Sequence, residues 1–252
     1  SYDSEEDQTD VIIFDSELQF LPKIYKIDIV FLLDTTKSMN PYMKGIKRFI
    51  RKLIFDAKKT ISHYENVELD ALSLGLICYK DHDQINVNGS YVSKVLCDLT
   101  IDHDKFKKAL FNIVPSGGDD DCEAVVDGLN EIVQNIQWSD DSLKFVYHIC
   151  DAPAHGKIYT DGKIEKKSEN SIIDNYETGC PCGMEPKGIL KAMRGKYIEY
   201  TIIMIDSCIE KMIQEFSKFV KIDIMSPNIE KTKGISEAQR DSERDDEIPE
   251  EQ

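Results

Sequence analysis

Residues 27–34 read Ile-Asp-Ile-Val-Phe-Leu-Leu-Asp, a near-continuous apolar run closed by an acid, as expected of a strand buried on both faces. Asn40-Pro41 then predicts a helix start, with asparagine as the cap and proline at the first helical position. Met43, Ile46, Phe49, Ile50, Leu53, Ile54, Ala57 and Ile61 follow at helical spacing. A second apolar strand is predicted over 71–79, and a less buried, alternating one over 91–98. A helix follows over about 103–113. Pro115-Ser-Gly-Gly-Asp-Asp-Asp121 is a turn-rich loop leading into a helix whose inner face is Val125, Leu129, Ile132, Val133 and Ile136. A third buried strand, 143–151, again ends in an acid, Asp151. A long polar connection over 152–186 precedes a helix near 187–194, a strand over 197–205, a helix near 207–219 and a short strand over 220–225.

Strands alternating with helices predict an α/β domain. Its sheet should be doubly wound and mostly parallel, with helices on both faces, a Rossmann-like arrangement. Ligands in such sheets bind beyond the carboxyl ends of the strands. Two strands end there in Asp34 and Asp151, and the Gly-Asp loop should reach the same edge.

Charge sharpens the domain limits. The 252 residues carry a formal net charge of −16. Residues 1–18 hold seven acids and no base, and residues 236–252 hold eight acids and two arginines. We therefore expect an acidic, mobile N-terminal tail at 1–18, one domain at 19–226, and an acidic, disordered tail at 227–252. An acidic chain argues against nucleic acid as a partner. No apolar run is long enough for a membrane span, and the first residues lack the basic-then-apolar order of a secretory leader. Seven cysteines, four of them in or beside apolar stretches, suit free thiols in a reducing compartment, hence a cytoplasmic protein.

The loop after the first strand, Asp34-Thr35-Thr36-Lys37-Ser38, offers an acid and two hydroxyls at every second residue. These are hard oxygen donors suited to Mg²⁺, with Mn²⁺ or Ca²⁺ as alternatives. Taken alone, the run also fits a plain capping turn. Asp151 can add an oxygen directly or through water, and the Gly117–Glu123 loop another. Together the three loops resemble the von Willebrand factor A domain. Its metal-ion-dependent adhesion site joins an Asp-x-Ser/Thr-x-Ser loop, a threonine from a middle loop and an aspartate ending a later strand. The resemblance covers about residues 24–226 and implies Asp34, Thr36, Ser38 and Asp151 as metal ligands.

More locally the chain resembles the A domains joined to atypical alpha-kinases in some protists. The matching segments are Tyr79-Lys80-Asp81-His82, Asp151-Ala152-Pro153-Ala154-His155-Gly156 and the Tyr176–Gly183 element. The middle loop departs from the adhesion pattern: Glu123 stands where a threonine is expected. Either Glu123, Asp119 or Asp120 replaces that hydroxyl, or the loop does not ligate. An added carboxylate binds the cation more tightly but leaves it less electrophilic toward an acidic partner side chain, the family's usual means of recognition.

The expected function is a divalent-cation-dependent protein-interaction module with an adaptor or regulatory role, its partner completing the metal shell with an acidic side chain. The alternatives are the targeting or regulatory part of an alpha-kinase system and an Mg²⁺-dependent phosphoryl-transfer enzyme. Phosphatases with an Asp nucleophile after a strand place a second Asp two residues on; Thr36 occupies that position, so no enzyme is expected. Asp81, His82 and Asp83 read as a charged turn, and His155 as a loop histidine bonding backbone or reaching the site. Cys180-Pro-Cys182 has no second cysteine pair to complete a zinc site, and a disulfide between the two would be strained.

Overall fold

The computed structural model describes residues 26–63, 72–160, 173–229 and 231–232. Most of the two expected acidic tails and the boundary at residue 19 lie outside these residues. Strands β1 (Lys26–Asp34), β2 (Leu72–Tyr79), β3 (Ser93–Thr100), β4 (Ser142–Cys150), β5 (Ile198–Met204) and β6 (Ile222–Met225) form one sheet in the order β3-β2-β1-β4-β5-β6. All neighbours are parallel except β2 and β3, which pair antiparallel. The strand order turns back at β1, so a crevice opens beyond the carboxyl ends of β1 and β4.

The period-2 alternation of β1 explains the layers. Ile27, Ile29, Phe31 and Leu33 face one side, packing with helix α1 (Met43–Ser62) through Ile46, Ile50 and Ala57, and with helix α2 (His103–Phe111) through Phe106 and Leu110. Val30 and Leu32 face the other. There they meet helices α3 (Val125–Gln134), α4 (Pro186–Gly195) and α5 (Glu210–Phe216), through Leu129, Leu190, Met193 and Phe216 among others. Asp28 interrupts this second face without being exposed. It accepts from Ser139 N (2.8 Å) and Ser142 Oγ (2.7 Å), fastening the turn before β4.

Two boundaries differ from expectation. Asn40 does not cap α1: a 3-10 turn, Lys37–Tyr42, contains both Asn40 and Pro41, and α1 begins after it. The reason is tertiary, since Lys37 N–H donates to Gly117 O (3.0 Å) and Met39 is fully buried, tightening the chain before the helix opens. The expected helix near 207–219 is likewise a 3-10 turn, Ser207–Ile209, capped by the Asp206 side chain on Cys208 N, followed by the short α5. Farther on, Thr232 returns to the first of these turns, donating through its backbone N–H (2.8 Å) and its hydroxyl (2.9 Å) to Pro41 O.

Candidate metal centre

Backbone hydrogen bonds lace the loops beyond β1, β2 and β4 together. Thr35 N donates to Tyr79 O (2.9 Å), Ser116 N to Thr35 O (2.9 Å), Ala124 N to Lys80 O (3.0 Å) and Glu123 N to Pro153 O (2.9 Å). The side chains these loops carry therefore sit in a fixed arrangement. Asp34 Oδ1 accepts from Thr36 N (2.9 Å) and Thr36 Oγ1 (2.7 Å), and Ser38 Oγ donates to Asp151 Oδ1 (3.0 Å). Thr36 Oγ1 and Ser38 Oγ lie 3.1 Å apart, within hydrogen-bond distance, with either hydroxyl able to donate to the other. So Asp34, Thr36 and Ser38 of one loop share a spot with Asp151, which is more than a hundred residues away in sequence.

Glu123 joins them. It is 3% exposed, and Gly118 lies between it and the first loop: a Cβ on Gly118 would stand 2.9 Å from Glu123 Oε1 and 3.2 Å from Thr36 Cβ. The positive φ of Gly118, 88°, adds a second reason for glycine at this position. Asp119 does not join them. Its side chain is exposed, and only its backbone N–H turns inward, to Asp81 Oδ2 (3.4 Å). The reversal at Gly117 and Gly118, both with positive φ, points the following side chain to solvent and brings the chain back at Glu123. Asp120 is spent on the backbone, accepting from Cys122 N (2.8 Å) and Asn175 N (2.6 Å).

The electrostatics are those of an uncompensated acid cluster. Burial, then the charge of Asp151, raises the Asp34 carboxyl well above the usual range, and burial followed by the charges of Asp34 and Asp81 does the same to Glu123. Asp34 Oδ2 and Glu123 Oε2 are buried and have no hydrogen-bond partner among the described residues. Buried acceptors of this kind are costly, and a cation is the one companion that serves several carboxylates at once. The donor set is all oxygen, which fits a hard divalent ion.

Beside this spot lies a network that the sequence only half disclosed. His155 contacts neither the Asp34 loop nor backbone; its ring bridges Asp81 Oδ1 (2.9 Å, Nε2) and Asp174 Oδ1 (2.9 Å, Nδ1). Burial works against its charge, but donating to the Asp174 and Asp81 carboxylates outweighs it and raises its pKa to about 9. His82 turns away from the Asp34 spot, toward Asp127, Cys180 and Cys182. Asp127 escaped the sequence reading. An acid in the first turn of an otherwise apolar inner helix face was the available signal.

The six-stranded, mostly parallel sheet with helices on both faces is the Rossmann-like α/β fold of von Willebrand factor A domains. No family model matches the chain. It is 29% identical over 174 residues to the alpha-protein kinase vwkA of Dictyostelium discoideum; the match covers 69% of the chain and 24% of that protein. The chain thus spans about a quarter of the kinase's length. Among solved structures, proximal thread matrix protein 1 from the mussel byssus superposes with a TM-score of 0.51 at 13% identity, over 81% of this chain and 42% of its own. The form of that protein with a zinc-occupied MIDAS motif, the metal-ion-dependent adhesion site, gives 0.51 at 14% identity with the same coverage. At such identities the likeness is one of fold. Among the described residues no helix is long and apolar enough to cross a membrane.

Proposed function

We propose that this domain is a divalent-cation-dependent protein-interaction module, with Asp34, Thr36, Ser38, Asp151 and Glu123 around one ion. Asp119 has no place in the ligand set. The observation that carries the reading is the pair of buried, unpartnered carboxylate oxygens, Asp34 Oδ2 and Glu123 Oε2, on loops that also present two hydroxyls and a third carboxylate. Mg²⁺ suits this all-oxygen set, and a position left open on the ion is where a partner's side chain would complete the shell. Three carboxylates outweigh a double positive charge, so a neutral oxygen donor on the partner suits the ion at least as well as an acid. We place the protein in a reducing compartment, the cytoplasm, because all seven cysteines are free. No catalysis is assigned, since position 36, where a phosphatase needs its second acid, is a threonine bonded to Asp34.

The test is thermal unfolding of the full chain against Mg²⁺ and Mn²⁺ after chelation. Tm should rise with cation concentration, by the linkage that stabilises any state which alone binds the ion, and Asp34→Ala should abolish the rise. An unchanged Tm at millimolar cation would remove the metal from the proposal. The similarity to vwkA favours a more specific version, in which the domain targets or regulates an alpha-kinase. Cation-dependent capture of an alpha-kinase or its substrate by the wild-type domain, lost in Asp34→Ala, would support that version.

A further inference from the structure

Outside the Asp34 loops, four side chains from three separate segments converge. His82 opens the 3-10 turn after β2, Asp127 lies in the first turn of α3, and Cys180 and Cys182 come from the connection between β4 and α4. One donor atom from each lies within 4.8 Å of all the others. His82 Nε2 is 3.3 Å from Asp127 Oδ2 and 3.5 Å from Cys180 Sγ; Asp127 lies 3.2 Å from each sulfur. Zinc bonds of about 2.3 Å to sulfur and about 2.0 Å to nitrogen and oxygen, set tetrahedrally, require edges of about 3.5 Å from sulfur to nitrogen and about 3.3 Å from nitrogen to oxygen. The His82–Asp127 and His82–Cys180 edges meet that requirement, while Cys182 Sγ stands 3.9 Å from His82 Nδ1 and the two sulfurs reach different oxygens of Asp127. An ion would draw the four groups together by shifts of a few tenths of an ångström, about the size of those differences.

We infer that His82, Asp127, Cys180 and Cys182 form a second metal site, a closed four-ligand zinc centre separate from the oxygen donors around Asp34. The local chain is shaped for it. Cys180-Pro181-Cys182 is bracketed by Gly179 (φ 119°) and Gly183 (φ 70°), and turns close on both sides, Gly179 N to Tyr176 O (2.8 Å) and Gly183 N to Cys180 O (3.0 Å). A side chain at either glycine would meet nothing within 4 Å, so the glycines serve backbone conformation, not close packing. The two turns aim both sulfurs at Asp127. The single residue between the cysteines, which spoils a two-pair zinc motif, is no obstacle when the other two ligands come from elsewhere in the fold.

Soft sulfur and imidazole donors select zinc over the hard ions suited to the Asp34 loops, so each site has its own metal. Four protein ligands leave no open position, which makes the centre structural. Its effect is to pin the 173–185 segment, which Met184 and the Tyr176 ring also pack down, against the ends of β2 and α3. That segment also supplies Asp174 to His155, and His155 holds Asp81 beside the Asp34 loops.

The competing account is that both thiols merely donate hydrogen bonds to the Asp127 carboxylate. The full chain, purified with reductant and without chelator, distinguishes the two. We expect about one zinc per chain by mass spectrometry of the metal, unchanged in Asp34→Ala and lost in Cys180→Ser/Cys182→Ser. In wild-type protein, Co²⁺ replacing the zinc should give thiolate-to-cobalt charge-transfer and tetrahedral ligand-field bands, a readout that needs no variant to fold. A zinc-free chain without a cobalt–thiolate band overturns the inference in favour of hydrogen bonds alone. Zinc that leaves with Asp34→Ala but stays in the double cysteine variant overturns it by placing the metal in the Asp34 loops.

Discussion

Asp34 and Asp28 sit on the same strand, both with no exposed surface, yet in opposite states. The Asp28 carboxylate accepts from a backbone N–H and from serine hydroxyls, whereas Asp34 has one oxygen satisfied and the other without a hydrogen-bond partner among the described residues, with the charges of Asp151 and Asp81 acting on it. A buried carboxylate among others is tolerated when a cation accompanies it and costs stability when none does. Replacing Asp34 by asparagine turns the repelled oxygen into a donor aimed at its neighbours. In chelator, Asp34→Asn should therefore raise Tm by at least ~2–4 °C, the shift about 1 kcal/mol produces in a domain of this size, while removing the response to Mg²⁺. A lower Tm in chelator would show that the acids around Asp34 do not repel it in the folded state. A second buried titratable group tests the core instead. His148 lies between Tyr79 OH (2.8 Å, Nε2) and Tyr200 OH (2.7 Å, Nδ1), and a neutral ring can accept from one phenol while donating to the other. Burial lowers its pKa to about 3. Because the folded value lies below the unfolded one of about 6.5, the stability is full above pH 6.5 and falls as pH drops through the window from 6.5 to 3, by up to ~1.4 kcal/mol per pH unit. Urea unfolding of wild type and His148→Gln between pH 7 and 4 should show the variant losing less stability by about that slope. Parallel curves would mean that His148 does not control the acid limb.

Helix α3 follows directly on Glu123 and carries Asp127 in its first turn, and its fit to the sheet depends on one missing methyl. At Gly128 a Cβ would stand 2.7 Å from Tyr79 Cδ1 and 2.9 Å from Leu32 Cδ1. Tyr79 cannot swing aside without giving up its bond to His148. Alanine gains about 1 kcal/mol of helix propensity over glycine, but overpacking a core of this kind costs typically about 1–3 kcal/mol. Both contacts here are well inside van der Waals range and one partner is fixed, so the cost should prevail. Gly128→Ala should lower the stability read by chemical denaturation; an increase would show that the helix can shift outward freely. The same element marks what sequence can disclose. Its inner face was legible because Val125, Leu129 and Ile132 repeat at helical spacing, and the buried strands were legible as apolar runs closed by acids. Asp34, Thr36, Ser38 and Asp151 stood out because three of them share one loop and the fourth ends a strand. The 3-10 turn before α1 was not legible, since its cause is a hydrogen bond to Gly117 about eighty residues away. Nor was the His82–Asp127–Cys180–Cys182 cluster, whose members have ordinary local explanations until the fold brings three segments together. Asp119 shares a loop with Glu123 in sequence, yet after the double-glycine reversal its side chain is exposed, a matter of backbone conformation that composition does not reveal.

For the molecule as a whole, Asp28 at one end of the sheet is hydrogen-bonded through its carboxylate, whereas Asp34 and Glu123 at the other each leave a buried oxygen without a hydrogen-bond partner among the described residues. Much of the −16 net charge lies in residues 1–18 and 236–252, so the demand for a cation comes from how a few acids are grouped, not from bulk charge. This division predicts a graded response to the ion. An amide that exchanges only when the loops around Asp34 open must release the cation first, so its exchange slows by the factor 1 + [M]/Kd, about 100-fold when the cation is at 100 times its Kd. Lys37 N–H on Gly117 O, Ser116 N–H on Thr35 O and Glu123 N–H on Pro153 O are such amides, because breaking any of them parts two of the ligand-bearing loops. Ser139 N–H, bonded to Asp28 at the opposite end, can be freed by a fluctuation that leaves those loops closed, and its exchange should be insensitive to the ion. Amides deep in β1 and β4 that exchange only on global unfolding should slow as much as the first group, since global unfolding also releases the cation. Hydrogen exchange of the full chain in chelator and in excess Mg²⁺ would separate the three groups. If Ser139 slowed as much as Lys37, the two ends would open as one cooperative unit. If none slowed, the carboxylates beyond β1 and β4 would have to be held by something other than a cation.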